Sequence, residues 1–161
     1  MSAPRKLLIA GGLALLILSM SYGLWYALFV EHQTLDAMGG ALASAFVKAA
    51  GRDLKGAHAD LDRYSAMEFD HVRRVDAHSH WAGLAVVLIV FGLIFDRVSF
   101  SERARLWLAA IFLAGSVIFP LGVVLQTVVQ GILPAIVAVL GATLVITTLG
   151  LISLGLTSSM Q

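Results

Sequence analysis

The sequence predicts an all-α protein: a four-helix transmembrane bundle with an outer, periplasmic amphipathic helical segment between helices one and two. Three observations predict it. Apolar residues make up 59% of the chain against 13% charged, with a mean hydropathy of +0.90, too little charge to cover a soluble surface of this size. The apolar residues are gathered into four runs without charge. Lys and Arg collect at the ends of those runs, where they set orientation.

The first run extends from Leu7 to Val30, behind Arg5 and Lys6. Its apolar stretch exceeds a signal-peptide core and no A-x-A cleavage site follows, so it is read as a retained helix. The second run, Trp81 to Phe95, is short against the roughly 20 residues needed to cross a hydrocarbon core of about 30 Å. It reaches length only by starting near Asp76 or His78, giving a span of about 78–96 and placing polar residues at the interface. The third and fourth spans cover about 106–129 and 132–156, joined by a tight turn at Gln130 and Gly131. Backbone groups in lipid must be bonded internally, so all four are helices and the chain is one integral membrane domain, 1–161. In the third and fourth, Gly115, Ser116, Gly122, Gly141 and their like allow close packing. Pro120 is expected to kink the third helix, and Pro134 sits in the first turn of the fourth.

Arg5 and Lys6 before the first span, and Arg97, Arg103 and Arg105 between the second and third, belong on one side. The positive-inside rule makes that side the cytoplasm. Both termini are then cytoplasmic and residues 31–77 periplasmic, in a membrane of bacterial inner-membrane type. That outer segment carries eight acidic residues against six basic ones. From Gly51 onward its apolar residues, including Leu54, Ala57, Leu61, Tyr64 and Val72, recur at helical spacing. They predict an amphipathic helix lying on the outer surface and feeding the second span, with a further short helix over 35–50.

Composition also excludes function classes. Without cysteine there are no disulfides, thiolate metal sites or cysteine catalysis. No basic stripe with interleaved aromatics points to nucleic acid. No serine–histidine–carboxylate set, phosphate loop or Rossmann signature is present. The expected partners are membrane lipid and other membrane subunits or an electron-transfer partner.

The polar residues near span depth gather at the outer edge. Glu31, His32 and Gln33 end the first span; Asp76, His78, His80 and Trp81 open the second; Gln126 ends the third. Ionisable groups at membrane depth are costly and mark candidate sites, although span ends are also where polar residues belong and Trp81 suits an interfacial anchor. His32, His78 and His80 are the candidate cofactor ligands, and Glu31, His32, Asp76, His78 and His80 the candidate metal ligands. Glu68 and His71 form a weaker Glu-x-x-His pair, half of a di-metal carboxylate signature. Residues two apart on a helix point about 200° apart, so His78 and His80 face different neighbours unless the backbone there is extended. Imidazole without thiolate suits haem, with Met20 or Met67 as a weaker axial partner, or a His/carboxylate copper or other metal site. A quinone headgroup is the other redox option.

The stretch His78-Ser79-His80-Trp81-Ala82-Gly83-Leu84-Ala85 resembles that of small four-helix bacterial membrane proteins whose second helix opens with His-Thr-His before an apolar, glycine-containing run. Those proteins in turn look like distant fragments of the haem-copper oxidase catalytic subunit. Tyr22-Gly23-Leu24 and the run from Gly122 to Gln126 are further echoes. Ser79 stands where threonine is usual, and Ala85 where a later glycine is expected. The resemblance implies His78 and His80 as ligands to haem or copper and a place in an electron-transfer or oxidase-type complex. The alternative is an accessory subunit of a respiratory or monooxygenase membrane complex with no cofactor of its own. Convergence of His32, His78 and His80 distinguishes the two.

Overall fold

The computed structural model describes residues 1–158, and among these it is all-helical apart from short links, with no strand. Four stretches are long and apolar enough to cross a membrane, as expected of a multi-pass membrane protein. Helix α1 spans Ala3–Tyr26, and a π-helical turn, Ala27–Glu31, carries it without a break into α2, His32–Ala50. Helix α3 runs from Leu54 to Ile94 and closes with a 3₁₀ turn at Phe95–Arg97. Helices α4, Glu102–Leu125, and α5, Leu133–Ser158, complete the chain.

Local chemistry sets these boundaries. Ser2, Asp53 and Ser101 each accept a backbone N–H three residues on, at Arg5, Gly56 and Ala104, which caps α1, α3 and α4. Glu102 adds an acid to the first turn of α4, where the helix dipole favours it. Pro4 and Pro134 occupy first turns, where the missing N–H costs nothing. Helix α4 continues through Pro120. At the tip between α2 and α3, Arg52 takes a left-handed φ of 62° while Gly51, Arg52 and Asp53 donate back to Val47, Ala49 and Lys48. That closes α2 and returns the chain beside itself.

Two helix pairs make up the core. Helix α3 runs antiparallel to α1 in a register that sets Ser19 opposite His78 and Tyr26 opposite His71. Helix α5 packs mainly on α4, and α4 joins the pairs by lying against α1 and α3. The α4–α5 contact is close because a Cβ on Gly122 would stand 2.3 Å from the Ala138 nitrogen, and one on Gly141 2.3 Å from the Phe119 nitrogen. Leu8, Leu15, Trp81, Ala85, Leu88 and Phe112 fill the junction. Trp81 is buried there and donates from Nε1 to the Val117 carbonyl at 3.3 Å, so it ties α3 to α4. At the other end Asp96 pairs with Arg5 at 3.2 Å and accepts from Ser2.

The segment over 31–77 differs from expectation in its form. It is helical, but its second half is no separate surface helix: it is the first half of α3, continuous with the second span and antiparallel to α2. The apolar stripe of the expected surface helix is in part the α2–α3 seam, where Ala41, Ala45 and Ala57 are buried. A polar clasp holds this hairpin, with Asp60 accepting from Lys48 at 2.7 Å and Ser44 at 2.6 Å.

The Lys48 ammonium, and after it the Ser44 hydroxyl, hold the Asp60 carboxyl below the usual carboxylate range. A carboxyl whose pKa falls on folding stabilises the folded state while ionised. The contribution is complete above the ordinary value of about 3.9 and is lost as pH drops through it toward the lower folded value. Amide protection in α2, corrected for intrinsic exchange, is expected to fall below about pH 4 in the wild type and to stay level in Asp60→Asn. A level profile in both would show that the clasp does not hold the hairpin.

Candidate functional site

The histidines expected at the outer edge are placed separately. His78 points at α1: its ring donates from Nδ1 to the Ser19 carbonyl at 2.9 Å, with the Ser19 hydroxyl 3.2 Å away. That hydroxyl donates in turn to the His78 carbonyl at 2.9 Å. The imidazole lies against Gly23, where an added Cβ would come 2.4 Å from Cε1. Only a residue without a side chain leaves room for the ring between the helices. His78 is therefore a polar stitch between α1 and α3.

His80, two residues on, lies on another flank of α3, exposed, with its ring 4.8 Å from that of Phe119 on α4. His32 is exposed on α2 with Nε2 3.5 Å from the Asp36 carboxylate one turn later. Glu31 sits in the π turn and Asp76 on α3, both partly buried. Glu68 is exposed, whereas His71 turns inward and shares a 2.8 Å hydrogen bond between Nδ1 and the Tyr26 hydroxyl. The Glu-x-x-His pair is thus divided between solvent and the seam. Among the described residues, no three His, Asp or Glu side chains are grouped so as to hold a metal ion.

What the structure does assemble is a cleft of about 280 Å³ between the start of α2 and the N-terminal half of α3. Its polar lining is Tyr26, Gln33, Thr34, Asp70, His71 and Arg74; Val30, Ala37 and Met67 form the apolar wall. Tyr26 is buried, and His71 and Arg74 are partly so. The π-helical turn builds one side. It inserts a residue into α1–α2, and π turns of this kind recur at functional sites. Thr34 donates to the Val30 carbonyl inside that turn at 3.0 Å.

Arg74 makes no salt bridge among the described residues. Its guanidinium stands near the hydroxyls of both Tyr22 and Tyr26 and acts on them electrostatically. The Tyr22 hydroxyl, buried beside Trp81 and Trp25, still lacks a hydrogen bond of good geometry. A charged donor and a nearby unmet phenol are thus held where α1 faces the middle of α3.

Of the candidate cofactor and metal ligands, His71 enters this cleft, with Met67, the weaker axial candidate, and Gln33 of the outer-edge group also in its lining. Tyr26, Asp70 and Arg74 were missed as site residues: Tyr26 lies inside an uninterrupted apolar run, and the π turn has no Gly or Pro to announce it. The available signal was Arg73 and Arg74, placed closer to a span than an outer loop prefers. No family model, curated protein or solved structure matches the chain.

Proposed function

We propose that this chain is an accessory subunit of a larger membrane complex, of the respiratory or oxidase type that the His78–His80 resemblance implies. In this reading it is inserted with both termini in the cytoplasm and the α2–α3 hairpin in the periplasm. The carrying observation is the separate employment of the three histidines: His78 stitches α1 to α3, His80 rests on Phe119, and His32 stands in the open beside Asp36. A haem or copper centre on these side chains would require His78 to give up its seat against Ser19 and Gly23.

The apolar surface left over supports the same reading. Helix α5 covers α4 and little else, so its far face around Ile146, Gly150 and Leu154 is open. On α3, Ser79 and Gly83 are four apart and exposed, and nothing lies within 4 Å of a Cβ placed on Gly83. Small residues at that spacing let another helix approach closely in a bilayer. The occupant proposed is a transmembrane helix of a partner subunit.

A photo-crosslinking residue at Gly83 or Gly150, with the chain expressed in its native membrane, is expected to yield one discrete heteromeric adduct from each site. Its absence at Leu15, a buried control, is part of the expectation. Adducts to lipid alone would sink the accessory reading. The oxidised and dithionite-reduced absorption spectrum is expected to show no Soret band. A Soret band abolished by His80→Ala or His32→Ala would replace this reading with the haem one.

A further inference from the structure

We infer that the Tyr26–His71–Arg74 cleft binds the head of an isoprenoid quinone, a ring-sized neutral group whose tail stays in the bilayer. The inference rests on the cleft and is independent of whether a partner subunit exists.

Depth comes first. Along α1 and the π turn the apolar surface continues through Leu24, Trp25, Leu28 and Phe29, all well exposed. Along α3 charge begins at Asp76 and continues outward through Arg74, Arg73 and Asp70. In the antiparallel register, with Ser19 opposite His78 and Tyr26 opposite His71, these two boundaries do not coincide. Between them lies a band where one helix is apolar and its neighbour charged. That is the character of the headgroup region, and the cleft is within it. A molecule entering from the side meets apolar α1 with its tail and polar α3 with its head.

Size and charge narrow the ligand. A volume of about 280 Å³ falls at the lower edge of small-molecule pockets, which run from about 300 to 1,000 Å³. It holds one substituted ring. Asp70 and Arg74 bring opposite charges to the same lining, which suits a neutral head better than a phosphate. Donors and acceptors stand on both walls, Gln33 and Thr34 on α2 against Asp70, His71 and Arg74 on α3. A quinone carries oxygens at opposite ends of its ring and needs such a pair of walls. Arg74 provides a charged donor to a carbonyl oxygen. His71, joined to Tyr26 through Nδ1, keeps Nε2 to accept from the hydroxyl of the reduced form.

The test uses the full chain in neutral-lipid nanodiscs, titrated with decyl-ubiquinone while tryptophan emission is followed. Trp25 and Trp81 both stand within 6 Å of the Tyr22 ring, close to the cleft, so a bound quinone is expected to quench them saturably. Arg74→Gln and His71→Ala are each expected to weaken binding by about tenfold or more, the loss of one strong hydrogen bond. Tyr26→Phe, which keeps the ring, is expected to weaken it by less. Because His71→Ala could loosen the seam, Arg74→Gln is the deciding variant; circular dichroism confirms that it is folded. Linear, non-saturating quenching, or equal affinity in wild type and Arg74→Gln, would overturn the proposal. So would displacement of decyl-ubiquinone by phosphatidylglycerol at comparable concentration, which would make the cleft an anionic-lipid site.

Discussion

Gly141→Leu is expected to separate α5 from α4 and to give the largest loss of stability of any single substitution discussed for this chain. A Cβ at this position meets the Phe119 nitrogen at 2.3 Å and its Cα at 2.6 Å, and both are backbone atoms of the facing helix. No rotamer relieves such a clash, so the helices must move apart. Overpacking within a well-filled interior costs about 1–3 kcal/mol and occasionally more. Here the cost should reach or exceed about 3 kcal/mol, because among the described residues α5 packs chiefly on α4. Gly122→Leu acts on the same interface from the other side, against Ala138. The control is Gly150→Leu, which adds the same volume where nothing lies within 4 Å. Thermal melts in detergent should place Gly141→Leu far below Gly150→Leu, with Gly150→Leu near wild type. Equal melts would mean that α5 does not pack as described.

The second large effect concerns Gly23 and His78. Gly23→Ala drives a methyl to within 2.4 Å of the His78 ring, which is pinned at Nδ1 by Ser19 and cannot simply swing aside. The expected loss is about 2 kcal/mol, from overpacking and a displaced hydrogen bond. His78→Ala alone should cost a similar amount, because it empties the gap and leaves Ser19 with less to bond. The informative variant is the double one. Gly23→Ala with His78→Ala fills the emptied space, so the two losses should fall well short of adding. Strict additivity in chemical denaturation would show that His78 is not seated on Gly23.

Much of this fold is readable from residue type alone. The four spans stand out because uncharged apolar runs near 20 residues have few other uses. Pro134 and the α4–α5 glycines announce their positions for similar reasons. The α2–α3 hairpin is harder. The helical spacing of Leu54, Ala57, Leu61 and Tyr64 is present, but periodicity does not say whether the apolar stripe meets lipid or another helix. Met38, Ala41 and Ala45 supply the answer only once α2 is known to lie alongside. Trp81 presents the same ambiguity, since a tryptophan at a span end reads as an anchor and here is buried against α4.

The site was less legible still. The angle between residues two apart on a helix correctly separates His78 from His80, because it depends only on helix geometry. Which neighbour each meets depends on register, and register is a tertiary property. Ser19 and Gly23 make His78 a packing residue, and both precede it in sequence by more than fifty positions. The cleft depends on the π turn at Ala27–Glu31, whose sequence is ordinary apolar helix until Glu31.

The unbroken passage from α1 into α2 has a mechanical meaning. From Ala3 to Ala50 there are 48 helical residues, about 72 Å at 1.5 Å each, against a hydrocarbon core of about 30 Å. The tip at Gly51–Asp53 therefore stands about 30 Å beyond Val30, carried on two rods clasped by Asp60. Such a post fixes the height at which anything gripping the tip is held. It also works as a lever: a sideways push at the tip must be answered by tilt in the long apolar helices or by yielding at the π turn, beside the cleft.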